Sequence, residues 1–182
     1  SEVEKVVPTV AEVKPSHPYA DIPGEYLSTL LQAEFAIRER NLDVGLVHLV
    51  ASSQAIPDAA IARRALQLAQ FIRNPDAALE MAVRISDLDP SDGSASTLAA
   101  AVFIERGDIA RALRYSRRAF DAGSDINPAA LLNDYEGQTP ETRAATRNLL
   151  EALESDYPDD ARSLFAIALL EWREGNGAVA VT

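Results

Sequence analysis

The sequence predicts an all-α fold, an α-solenoid built from helix pairs, and three observations carry that reading. Ala, Leu, Arg, Glu and Gln crowd the chain while β-branched residues rarely occur in alternating runs, so the summed propensity leans to helix. From Gly24 onward apolar residues recur at the spacing of one helix face. Finally, the segment Ala78-Leu79-Glu80 to Pro90 superposes on Ala112-Leu113-Arg114 to Gly123 with a shift of about 34 residues, the mark of a stacked-repeat array.

Residues 1–23 come first and differ from the rest. Pro8, Pro15, Pro18 and Pro23 lie among Val, Glu and Lys, a composition that blocks helix propagation and lacks strand-like alternation. The segment reads as a Pro-rich extended arm or linker. Two forms stay open for it: a disordered leader, or a cap in which Val6, Val7, Tyr19 and Ile22 lie along the first helices, since repeat arrays need their ends covered.

The array is expected to occupy residues 24–182. Leu27, Leu30, Leu31 and Phe35, then Leu42, Leu46 and Leu49, predict two successive helices, with Asn41 and Asp43 marking the break. Further pairs are expected near 58–72 and 75–88, and near 92–106 and 108–122. Gly45-Leu46 to Pro57 forms an earlier, weaker copy of the pattern.

Each recurring residue has a physical task. Ala78 and Ala112 are small where the two helices of a pair cross closely, because a larger side chain would separate the axes. Gly107-Asp108 predicts a sharp turn, the glycine accepting a left-handed backbone and the aspartate capping the next helix. Asn74-Pro75-Asp76 is expected to do the same with other chemistry. Pro57, Pro90 and Pro158 punctuate the handover between units, where a missing N–H and a fixed φ suit a helix start.

Beyond Asp125 the regularity loosens. Asn127-Pro128 to Tyr135 predicts a short helix, Gly137 to Pro140 a connection, Glu141 to Asp156 a longer helix, and Asp160 to Glu174 another. The second helix of a fifth pair is due just after Gly175-Asn176-Gly177, so the array is expected to be the N-terminal part of a longer protein, truncated at its C-terminus.

Two levels of resemblance add to this. Gly107-Asp108-Ile109-Ala110-Arg111-Ala112-Leu113 resembles the turn and second helix of tetratricopeptide repeats, which implies a right-handed superhelix of helix pairs over Gly24 to Glu174. Tyr26-Leu27, Leu31 to Ala36, and then Ala62-Arg63-Arg64-Ala65 and Ala69-Gln70-Phe71, resemble the opening of periplasmic tetratricopeptide lipoprotein adaptors of Gram-negative bacteria. That resemblance implies docking and activation of a carboxyl-terminal processing protease, presentation of cell-wall hydrolases to it, and a lipid tether to the outer membrane. The sequence here has no signal peptide, no lipid-bearing cysteine and about half the length usual for such adaptors.

Composition narrows the chemistry. The formal net charge of -11 repels phosphate backbones and anionic headgroups, so no nucleic acid is expected as partner. No apolar run reaches the roughly 20 residues that span a bilayer. Cysteine is absent, which removes thiol catalysis and Cys-ligated zinc. His17 and His48 have no carboxylate pattern around them that makes a metal ligand or a general base. Asp87 with Asp89, and Asp156 with Asp159 and Asp160, lack calcium-loop spacing and read as helix-end caps. No cofactor, metal or catalytic residue is therefore expected, and the chain reads as a non-catalytic protein-binding scaffold.

In such arrays the first helix of each pair lines the inner surface. Glu34, Arg38, Arg63, Gln67, Gln70, Thr97 and Glu105 are the candidate groove residues. Arg38 and Arg63 would clamp a partner carboxylate, Gln67 and Gln70 would bond its backbone, and Leu30, Phe71 and Ile104 would offer apolar contact. The plainer account of Arg63-Arg64 and Arg117-Arg118 is a solvated face with ion pairs along the helix. The rival function is a structural module that assembles with copies of itself into a homo-oligomer.

Overall fold

The computed structural model describes residues 24–175. The expected arm over 1–23, with His17, and Asn176-Gly177 of the expected terminal turn lie outside the described residues. The elements are α1 (Gly24–Arg38), α2 (Leu42–Ala55), α3 (Ala59–Phe71), α4 (Pro75–Leu88), α5 (Gly93–Glu105), α6 (Ile109–Asp121), a 3-10 turn (Pro128–Leu132), α7 (Pro140–Asp156) and α8 (Ala161–Arg173). Consecutive helices pair as α1/α2, α3/α4 and α5/α6, each pair stacks on the next, and the described residues form an all-helical α-solenoid.

The repeat is clearest in its caps. Asp58, Asp92, Asn127 and Asp160 each accept a hydrogen bond from a backbone N–H just inside the following helix or turn. Their numbers step by 34, 35 and 33 residues. Asn74, Asp108 and Thr139 cap the second helix of units 2, 3 and 4 in the same manner. Such caps satisfy N–H groups that the helix itself leaves open, each contributing about 1 kcal/mol. Pro57, Pro90 and Pro158 precede these caps and lie outside the helices, so they punctuate the linkers. The prolines inside first helical turns are Pro75, Pro128 and Pro140.

The turn between the helices of a pair is equally regular. Asn41, Asn74 and Asp108 donate their backbone N–H to the carbonyls of Ala36, Ala69 and Phe103, at 2.8, 2.8 and 2.9 Å. The residues before them, Arg40, Arg73 and Gly107, donate to Ile37, Gln70 and Ile104 and take φ of 61°, 59° and 70°. This is the six-residue helix-ending motif with a left-handed residue past the last turn. Gly107 fulfils its expected role, whereas two arginines hold the same strained geometry.

Close crossing of paired helices explains the small residues. Ala78 and Ala112 are buried as expected. Gly45 stands at the same place in unit 1, where a Cβ would come within 2.6 Å of Ile37 Cγ1. The short helix expected up to Tyr135 is only the 3-10 turn, held by bonds such as Ala130 N–H to the Asn127 carbonyl. It stands where the first helix of unit 4 belongs, and α8 packs against it. Leu131, Leu132, Leu149, Leu150 and Leu153 fill the space around it.

Candidate protein-binding groove

The candidate residues sit at fixed offsets from the helix caps. Arg63, Gln67 and Gln70 lie five, nine and twelve residues past Asp58; Thr97 and Glu105 lie five and thirteen past Asp92. On a 3.6-residue helix these offsets share one face. The structure brings Arg63, Gln67 and Gln70 together. A groove of about 590 Å³ between α1 and α3 is lined by Ile37, Leu49, Ala60, Arg63, Arg64, Gln67 and Leu68. A second, of about 300 Å³, runs between α3 and α5 and shares Arg63 and Gln67 while adding Gln70, Ser94 and Leu98. A third, of about 350 Å³, continues from Gln70 past Arg73 and Ala78 to Leu98 and Val102. Shared walls make these one track along the joints of three units.

The other candidates fall elsewhere. Glu34 is held by Arg64 at 2.6 Å, Arg38 is exposed at the end of α1, and Glu105 is exposed at the end of α5. Thr97 donates its hydroxyl to the Gly93 carbonyl at 2.8 Å, so it serves its own helix. Of the apolar candidates, Leu30 and Ile104 are half-buried against the core, while Phe71 is 76% exposed.

Arg63 has a different task from the expected clamp. Its Nη2 lies 2.5 Å from Asp89 and its Nε donates to Asp92 at 2.9 Å. Asp92 caps α5, so Arg63 ties unit 2 to the start of unit 3. The Asp92 carboxylate raises the Arg63 pKa. Burial pushes Asp92 up, yet hydrogen bonds from Ser94, Arg63 and the Ala95 N–H outweigh it and hold Asp92 below its ordinary value. Asp89 is lowered too, by the Ser91 hydroxyl first and Arg63 second. A guanidinium already bonded to two carboxylates is poorly placed to seize a third.

The paired arginines follow the plainer account with one change of partner. Arg64 pairs with Glu34, Arg118 with Asp87 and Arg117 with Asp156, each on another helix. Arg84 donates to the Ser53 carbonyl at 3.1 Å. These bonds join neighbouring units rather than successive turns of one helix. Half-exposed pairs of this kind contribute about 0.2–1 kcal/mol each. Asp160 does cap α8, and Arg162 beside it lowers its pKa to about 2.

A further concavity of about 570 Å³ lies between the 3-10 turn, α7 and α8, lined by Tyr135, Glu136, Arg143, Arg147, Arg173 and Glu174 among others. Most of its charges pair with one another. Arg147 bonds Glu151, Glu171 and Glu174, and Arg173 bonds Glu136. Burial first, and then its bond to Glu174, push the Tyr135 hydroxyl up to about 12. Among the described residues no group of three or more His, Cys, Asp or Glu is arranged to hold a metal ion. His48 is half-buried in α2.

No family model matches the chain. It is similar to a TPR repeat-containing protein of Pseudomonas aeruginosa, 25% identical over 164 residues that make up 90% of this chain. The chain spans 28% of that relative's length. It is also similar to the crystal structure of MamA protein, with 14% sequence identity, a TM-score of 0.47 and 86% of each chain covered.

Proposed function

We propose that this chain is a non-catalytic scaffold that binds an extended segment of another protein along the track between its first helices. The observation that carries it is the continuity of that track past Gln67 and Gln70, whose side chains can bond a partner's backbone, with the exposed ring of Phe71 next to Gln70 at the end of α3. Its similarity to a TPR repeat-containing protein supports the same reading.

The finer reading is a periplasmic adaptor, tethered to the outer membrane, that docks and activates a carboxyl-terminal processing protease and presents cell-wall hydrolases to it. What supports it is the resemblance carried by residues 26–36 and 62–71. The test is capture of a purified protease of that class on the immobilised chain, beside a Gln67→Ala/Gln70→Ala/Phe71→Ala variant with an unchanged circular dichroism spectrum. The expected result is binding that the variant weakens by 1 kcal/mol or more, about fivefold upward. Binding that the variant leaves intact removes the track from the proposal. Absence of binding, with a concentration-dependent rise in mass of the chain alone, replaces the adaptor with self-assembly.

A further inference from the structure

Offsets from the caps separate two faces of each first helix. The residues four, seven and eleven past the cap are buried: Ala62, Ala65 and Ala69 after Asp58, and Ser96, Ala99 and Phe103 after Asp92. Those five, nine and twelve past it point about 130° away around the helix and include Arg63, Gln67 and Gln70 of the track. Asp160 caps α8 one repeat beyond Asn127, so α8 stands where the first helix of a unit stands. Its residues at offsets five, nine and twelve are Phe165, Leu169 and Trp172. Phe165 is 61% and Trp172 66% exposed, with Leu169 half-buried between them. A helix paired with α8 in the manner of the earlier pairs would lie on the other set, on Leu164 and Ile167, and leave both rings on the open face.

Charge decides what these rings suit. Arg63 already holds Asp89 and Asp92, and the chain carries a net charge of -11, so the track disfavours an acidic partner. The cations near the rings are engaged as well: Arg162 bonds Asp160 at 2.7 Å and lies over the Phe120 ring at 4.2 Å, and Arg173 bonds Glu136 at 2.8 Å. Asp125 is exposed, forms no ion pair among the described residues, and shares a concavity of about 420 Å³ with Phe165, Ile126 and Asn127. Open ring faces beside a carboxylate without a counter-ion select a cation. We propose that α8 is the anchoring end of the track and holds a basic, extended segment of the partner, a lysine or arginine against each ring and the Asp125 carboxylate beside the one at Phe165. This rests on the track reading above and adds the partner's chemistry to it. The rings lie seven residues apart on one helix, about 10.5 Å along its axis. A polyproline-type segment presents the same side every three residues, about 9.3 Å, so basic residues at every third position meet both rings.

The probe is a fluorescein-labelled peptide of three Pro-Lys-Leu repeats, with three Pro-Glu-Leu repeats as its acidic counterpart, each titrated against the full chain by fluorescence anisotropy. The lysine probe is expected to bind about tenfold more tightly than the acidic one, with Phe165→Ala/Trp172→Ala weakening it about tenfold and Asp125→Asn about threefold. Phe165→Tyr/Trp172→Phe keeps both ring faces and should keep the binding. Equal affinity for the two probes, or no binding of either, overturns the proposal. So does lysine binding that the alanine variant leaves unchanged, or that the ring-preserving variant weakens as much. Gln67→Ala/Gln70→Ala separates this inference from the track reading. If that variant alone weakens the lysine probe, the track stands and α8 is not its anchor. If only the ring variant does, the basic-segment site on α8 stands and the continuous track falls.

Discussion

Two cores meet in this chain and are made of different material. The first, from Ala33 to Ala95, is built on alanine, with Leu46, Leu49, Met81 and Ile85 set between Ala62, Ala65, Ala69 and Ala78. The second, from Leu79 to Leu170, is built on leucine and rings, with Phe103 stacked on Tyr115 at 5.5 Å and Phe120 on Tyr157 at 4.6 Å. Alanine lets helix axes approach, so the first core gains its contacts from backbone proximity. In the second core a 3-10 turn replaces a full helix, and large side chains occupy the room it leaves. The same repeat spacing is thus met by two packing solutions, and they should fail in different ways.

The largest effect is expected from cutting the second core. Leu153→Ala empties a fully buried position on α7 and should lower stability by about 3–5 kcal/mol in urea unfolding, with Met81→Ala in the first core costing less, about 2–3 kcal/mol. If Met81→Ala costs as much, the contrast between the cores fails. Next comes overfilling: Ala65→Leu should cost about 1–3 kcal/mol despite its added apolar area, whereas Leu150→Met should cost under about 1.5 kcal/mol. A neutral Ala65→Leu would mean that the first core has slack.

The smallest effect sharpens the comparison at the turns. Arg73, which closes α3 in the first core, holds φ of 59°, while Gly107, which closes α5 in the second, holds 70°. Arg73→Gly should raise the unfolding free energy by about 0.5–1 kcal/mol, and Gly107→Arg should lower it by a similar amount. Thermal unfolding of the two single variants and their combination measures both signs, and the combination should return near the starting value.

Most of the helices were legible because their ends are written in chemistry. Asp58 and Asp92, and Asn74 and Asp108, stand one repeat apart with apolar periodicity between them, so cap and period agree. The 3-10 turn was legible only as something short, since hydrogen bonding to the third rather than the fourth residue leaves no mark in composition. Of the groove, Arg63, Gln67 and Gln70 follow from offset alone. What offset cannot reveal is occupancy: Arg63 is engaged by Asp89 and Asp92, which lie 26 and 29 residues away, beyond any helical neighbour rule. Arg64 lines the first groove, yet its only sequence-level cue was a basic pair. Arg40 and Arg73 were not recognisable as left-handed residues, because arginine carries no preference for that backbone.

Those two arginines carry one more consequence, about information. The backbone closes each helix pair with the same two hydrogen bonds whether the turning residue is Arg40, Arg73 or Gly107. The geometry of the turn is therefore kept by the backbone bonds around it, and the side chain at the turning position changes only its cost, by about 0.5–1 kcal/mol. A repeat recognised by its glycine would be found once in these three units, while one recognised by the spacing of Asn41, Asn74 and Asp108 is found in all three.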